Sequence, residues 1–375
     1  MKKFFPLASL GLLLSVSIFL IIVYGCGTNP TGGGSTPSWK PVGTEGFSAG
    51  AAYYISLFVY SGTPYVAYEE SSYITVMKYN SGGDTWEAVG NPRFSNQFSE
   101  YTSLFFHEGI PYVAYGDGSS SKVTVRKYNS GGDTWEAVGN TAFSNTAHYI
   151  SLFVSQEGTP YVAYADETLS GKARIKKFNG SSWVDVGGTS ISDGRTYYNS
   201  LFISAIGTPC VAYMDDANSD RARVEKFDGS SWVDVGSGLI SDGTAAYTSL
   251  FIYNATPYVA FRDAAKSNKA TVMKYDAGEN TWEAVGTPGF SVGQADYVSL
   301  FIDQGIPYVT YKDVANSEKA TVMKYNGSNW VNVGSAGFSA GSADYTSLFI
   351  YNGIPYVVYQ DGANSYKTTV MKFAP

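Results

Sequence analysis

Residues 297–334 read YVSLFIDQGIPYVTYKDVANSEKATVMKYNGSNWVNVG, and this stretch decides the fold. It holds four short runs, Tyr297 to Ile302, Pro307 to Tyr311, Ala320 to Tyr325 and Trp330 to Gly334, with Gly, Asn, Ser or Pro at every junction. Each run is rich in β-branched and aromatic residues and too short for a helix, so each reads as a strand ended by turn chemistry. The runs are apolar on both sides rather than strictly alternating, as expected of sheets buried on both faces.

The same unit recurs along the chain. Tryptophans stand at Trp39, Trp86, Trp135, Trp183, Trp232, Trp282 and Trp330, 47 to 50 residues apart. A Ser-Leu-Phe triplet starts at Ser56, Ser103, Ser151, Ser200, Ser249, Ser299 and Ser347, each with Tyr two residues earlier. Four strands in a unit of this length make one propeller blade, and seven units predict an all-β, seven-bladed β-propeller. The phase predicts closure. The first unit opens at Trp39 with the strand that ends the other units, and the last stops one strand short. Trp39 to Gly43 is therefore expected to complete the last blade beside Thr369 to Phe373, removing open edges. A parallel β-solenoid is the alternative, but it would need capping segments.

The motifs Asn-Gly-Ser-x-Trp-Val-x-Val-Gly, Tyr-x-Ser-Leu-Phe, Pro-Tyr-Val-Ala-Tyr-x-Asp and Thr-Val-Met-Lys-Tyr resemble repeats of bacterial secreted seven-bladed propellers near the kelch and Asp-box groups. The resemblance covers 39–373 and implies fold more than activity. The hairpin Asn80 to Trp86 is similar to an Asp box but carries Ser81 where the acid belongs, and the kelch double Gly is missing, so no subfamily is named.

Composition narrows the chemistry. The 375 residues include 31 Tyr, 21 Phe and 7 Trp but only two Cys and two His, with a net charge of −7. Two Cys exclude a disulfide scaffold and a Cys-based zinc site, and two His leave little for a metal centre, so neither metal nor cofactor is expected. The acidic balance argues against nucleic acid as a partner.

Lys2 and Lys3 followed by an apolar run to Tyr24 read as a signal peptide over 1–25. The sequence Val23-Tyr-Gly-Cys26 is similar to a lipobox, which implies lipid on Cys26, with 26–38 as a flexible linker and 39–375 as the propeller. An uncleaved membrane span is the other reading of the run. Either way the expected location is a bacterial cell envelope, outer membrane or cell surface, with the protein a monomer tethered to the membrane.

Comparison among the units separates what repeats from what varies. An acid ends every second strand: Glu70, Asp117, Asp166, Asp215, Asp263, Asp313 and Asp361. In six units a base follows five or six residues later, as Lys122, Lys172, Arg221, Lys269, Lys319 and Lys367, with Tyr73 in the first. A feature in every blade points to structure, here a partly exposed carboxylate pairing across the hairpin base, rather than a cation ring. The repeated Trp, Phe and strand Tyr are expected in the inter-blade core, and Cys210, where sister units have Tyr, as an inert buried thiol.

Variation gathers in the loop before Tyr-x-Ser-Leu-Phe. The residue preceding that Tyr is Tyr53, Glu100, His148, Tyr197, Ala246, Asp296 or Asp344, and Arg93, Arg195, Gln97 and Gln294 lie nearby. Constant loop length with changing side chains suits a binding face on a rigid scaffold. Tyr53, Glu100, His148, Arg195, Tyr197, Asp296 and Asp344 are therefore the expected ligand-binding residues, for a glycan or a protein, with no catalytic residue assigned. The alternatives are a sialidase-like glycoside hydrolase, needing Arg93, Arg195 and Arg262 to converge, and a purely structural envelope scaffold. The anchor is open to direct test: the parent protein should partition into the detergent phase of Triton X-114, and Cys26→Ser into the aqueous phase. Detergent partitioning of a normally processed Cys26→Ser protein would rule out lipidation.

Overall fold

The computed structural model describes residues 36–374. The signal segment 1–25, Cys26 and most of the linker 26–38 lie outside the described residues. From Pro37 onward the chain forms one unit of seven four-stranded antiparallel sheets. The sixth blade is typical, with an inner strand Ala295–Asp303, a second strand Ile306–Asp313, a third strand Lys319–Tyr325 and an outer strand Trp330–Asn332. The expected closure is present. Ser38–Pro41 pairs with Lys367–Ala374, Trp39 opposite Phe373 and Pro41 opposite Met371, as the outer strand of the last blade.

Two rings of hydrogen bonds join each blade to the next and account for two of the repeated motifs. Inner strands are edge strands, and their outward N–H groups would lie unpaired along the axis. The serine of Ser-Leu-Phe resolves this. Leu104 N–H donates to Ser56 Oγ of the preceding blade at 3.0 Å, and the pattern repeats around the ring to Leu57 N–H and Ser347 at 3.4 Å. At the periphery each Trp Nε1–H donates to the carbonyl of the preceding blade's Val-Gly pair. Trp86 of the first blade reaches Val42 of the last at 2.8 Å, closing the circle, and Trp39 reaches Val333 of the sixth at 2.8 Å. Each bond is worth roughly 0.5–1.5 kcal/mol net, and more is lost when a buried partner is orphaned.

Packing follows the same circle. The phenylalanines of Ser-Leu-Phe form a closed ring about the axis, from Phe58 with Phe105 at 5.5 Å between centroids to Phe349 with Phe58 at 4.8 Å. Each outer Trp is covered by an apolar loop residue: Phe47 stacks on Trp86 at 4.1 Å, whereas Ile191 and Ile240 serve Trp232 and Trp282. The serine after that residue, such as Ser95, accepts from a third-strand amide, here Ile74 N–H at 2.9 Å. These loops are thus pinned at fixed length.

The Val-Gly glycine is required twice over. Gly187 has φ +74°, and a Cβ there would lie 2.6 Å from the Trp232 indole. Its neighbour Gly188 is also left-handed, at φ +114°, but faces open space. Gly188→Ala isolates the backbone cost, roughly 1–2 kcal/mol. Gly187→Ala adds the collision with the indole and should lower the thermal midpoint several degrees further in a calorimetric scan. Equal losses would show that the Trp contact does not constrain this glycine.

Candidate functional site: the tyrosine-floored channel mouth

Every inner strand carries a bulge just before its Ser-Leu-Phe. In the sixth blade the register slips between Asp296 and Ser299. The residue in the bulge is always the repeated Tyr, and Tyr54, Tyr101, Tyr149, Tyr198, Tyr247, Tyr297 and Tyr345 all take a left-handed φ of 49° to 57°. Such a conformation costs a non-glycine residue about 1 kcal/mol or more, and a bulge re-aims the side chain it carries. Here it turns seven phenol rings toward the axis. They form a closed circle, from Tyr54 with Tyr101 at 4.7 Å through Tyr297 with Tyr345 at 4.9 Å to Tyr345 with Tyr54 at 5.6 Å. Thr248 and Thr346 brace it by donating to the carbonyls of Tyr198 and Tyr297 in the preceding blades, at 2.6 and 2.5 Å, and Thr102 does the same for Tyr54. The tyrosines line a cavity of about 290 Å³ at the mouth of the channel. Burial pushes the phenols of Tyr54, Tyr101, Tyr247 and Tyr297 well above the ordinary tyrosine range, leaving them as neutral hydroxyl donors.

The expected binding residues stand around this circle. Tyr54 Oη donates to Glu100 at 3.3 Å, and His148 Nδ1 lies 3.2 Å from Tyr101 Oη. Arg195 grips Glu167 with both terminal nitrogens, at 2.6 and 2.8 Å, and Glu167 lies 3.6 Å from His148 Nε2. The Arg195 hydrogen bonds hold the Glu167 carboxyl below its ordinary range. Tyr53 packs edge-on to Tyr345 at 6.2 Å and Tyr197 to Tyr149 at 5.6 Å. Asp296 pairs with Arg262, whose guanidinium lies 5.0 Å from the Tyr247 ring centroid, and Asp344 pairs with Lys312 at 2.8 Å.

Between the first two blades the mouth extends into a pocket of about 370 Å³ bordered by Tyr54, Glu69, Phe98 and Glu100. Phe98 is 58% exposed, an aromatic face open to solvent. Burial raises the Glu69 carboxyl above its ordinary range. Neither Glu69 nor Phe98 stands out in the sequence, because Glu69 sits inside a repeated strand and Phe98 in a loop that differs in every blade. The tyrosine ring was visible as a repeat, but its invariance read as core packing. The bulge that turns it to the axis has no sequence signature of its own.

One expectation changes. The seven acids are buried rather than partly exposed, and the bases opposite them are not their partners. Asp166 faces Lys172 in register, and Asp361 faces Lys367. Yet Asp361 accepts from Ala363 N–H, Asn364 and Thr369, Asp166 from Thr168 and Arg174, and Glu70 from the Ala49 and Gly50 amides. Backbone amides and hydroxyls lie closer to a buried carboxylate than a lysine whose stem runs outward to water. Asp215, Asp263 and Asp313 are likewise engaged by side chains or amides of their own hairpin turns, and Asp117 by Asn96 and Ser99 of the preceding loop. The three arginines that the hydrolase alternative would need, whose convergence the sequence left open, are each paired with a different acid: Arg93 with Glu70, Arg195 with Glu167 and Arg262 with Asp296. Among the described residues, no group of three or more His, Cys, Asp or Glu is placed to hold a metal ion.

No protein-family model matches the chain, and no curated protein matches it. Among solved structures it is similar to the polysaccharide lyase Uly1, at 11% identity over 87% of this chain and 90% of that one, with a TM-score of 0.57. It is also similar to SapL1 lectin in complex with alpha methyl fucoside, at 13% identity over 78% and 98%, with a TM-score of 0.53. Trypanosoma rangeli sialidase in complex with sialic acid aligns at 12% identity over 91% of this chain and 59% of that one, with a TM-score of 0.50. At these identities the likeness is one of fold, and the chain is a seven-bladed β-propeller.

Proposed function

We propose that this protein is a non-enzymatic glycan-binding propeller, tethered to a bacterial envelope through lipid on Cys26, that takes one sugar unit at the tyrosine-floored mouth. The observation that carries the reading is the closed ring of seven tyrosines, opening beside Glu100 into the pocket bordered by Glu69 and Phe98. Sugars offer apolar C–H faces and radiating hydroxyls. Aromatic faces with neutral phenol donors and carboxylate acceptors match both, and a pocket of this volume is of the size that holds a small ligand. The similar folds of a lectin in complex with a fucoside and of a sialidase in complex with sialic acid are in keeping with a carbohydrate ligand. The rim pairs Arg262–Asp296, Lys312–Asp344 and Arg195–Glu167 engage their charges with one another, whereas Glu100 accepts directly from Tyr54 of the ring.

A glycan array followed by titration calorimetry tests this reading. Binding with one site per chain is expected. Tyr54→Ala and Glu100→Ala should each weaken it by roughly tenfold or more, as removal of a buried hydrogen-bonding group does. An array without a hit removes the glycan reading, and seven sites per chain would move binding from the mouth to the repeated blades.

A further inference from the structure

The face opposite the tyrosine ring is built from the turns between inner and second strands. There the fourth blade departs from its sisters. Where the other six carry Tyr in the second strand, it has Cys210. Where Tyr60, His107, Tyr253 and Tyr351 end inner strands, it has Ser204, a small residue it shares only with Ser155 of the third blade. At the turn itself Ile206 replaces the Ser, Glu, Asn or Gln of the others and stands 88% exposed. The next blade adds Ala255, left-handed at φ +63° in a slot that is Gly in every other blade.

These departures share one cavity. A space of about 630 Å³ is lined from three consecutive blades, including Tyr161 and Lys177, Ser204, Ile206 and Cys210, and Ala255. A sister space of about 590 Å³ between the second and third blades is lined from two blades only and ends at Tyr161. In the fourth blade the residue in that place is Cys210, so two neighbouring inter-blade spaces run together. The Tyr60 and His107 rings cover the turn glycines of the following blades, within 3.1 Å of a Cβ on Gly109 and 2.9 Å of one on Gly158. Ser155 and Ser204 take that place before the fourth and fifth blades, and Gly207 has open space above it.

Charge completes the description. In six blades a third-strand lysine lies opposite the second-strand tyrosine. In the sixth, Lys324 Nζ sits 6.0 Å from the Tyr308 ring centroid. Lys226 lies opposite Cys210 and has lost that aromatic surface. Among the described residues neither Lys226 nor Lys177 has an acid within salt-bridge distance. Asp228, also on the lining, directs its carboxylate to the amides of Ser230 and Ser231 in its own turn.

We infer that this cavity is a binding site for a small aromatic anion, a planar ring bearing a carboxylate or sulfonate. The ring takes the place of the phenol missing at Cys210, and the anionic group meets Lys226 and Lys177. An aromatic body supplies the apolar area, and an ammonium over a ring or against an anion orients it. The site is separate from the channel mouth and does not depend on the ligand bound there.

The probe is 1-anilinonaphthalene-8-sulfonate, an aromatic anion, titrated by fluorescence into the folded protein. One site per chain is expected. Cys210→Tyr and Ser204→Tyr each restore a residue that sister blades already accommodate, so both should fold. Each should weaken binding by roughly tenfold or more by filling the space the ring would occupy. Lys226→Met should weaken it by about fivefold, the worth of one partly exposed charge contact. Undiminished binding in both tyrosine variants would overturn the site. Equal affinity for the uncharged N-phenyl-1-naphthylamine would overturn its anionic character.

Discussion

The structure depends on how one blade is fastened to the next. A blade is a four-stranded sheet whose inner strand has no neighbour on the axial side, so its amides there need partners that the sheet cannot supply. The hydroxyl of the repeated serine provides one from the adjacent blade, and at the other end of the sheet the repeated tryptophan binds a carbonyl of the same neighbour. Because both bonds run from each blade to the next, the circle is satisfied only when it closes. Ser347 with Leu57 and Trp86 with Val42 are the bonds that close it, across the seam between the last blade and the first.

That fastening explains why the mouth can hold strained residues. Seven left-handed tyrosines would be a heavy burden on isolated hairpins. Between inner strands already fixed by the serine ring, the bulge costs no further freedom and delivers seven rings to one point. Rigid scaffolding at the axis thus stands directly beside chemical diversity one residue earlier, at Glu100, His148, Asp296 and Asp344.

Much of this was legible in the linear sequence. Spacing of the tryptophans gave blade size and number, and the offset between Trp39 and the last unit gave the closure. The loop positions that vary in chemistry at constant length proved to surround the mouth, because loops pinned by Trp-stacking residues cannot drift from it. The partners of the repeated acids were misjudged. In six blades register places a base opposite the acid, but register says nothing of which way a long side chain runs, and the burial of the carboxylates followed from packing between blades.

The sequence by itself determined the repeat, the number of blades, the closing strand and the places where the units differ, because these are matters of period and phase along the chain. Only the tertiary structure decided what those differences amount to. Whether a repeated tyrosine is core or lines a mouth depends on a bulge, and so on φ rather than on residue type. Whether a cysteine in place of a tyrosine leaves a cavity depends on what the two neighbouring blades place around it. Contacts between units about 48 residues apart in the chain, as Leu104 is from Ser56, are set by the closed circle.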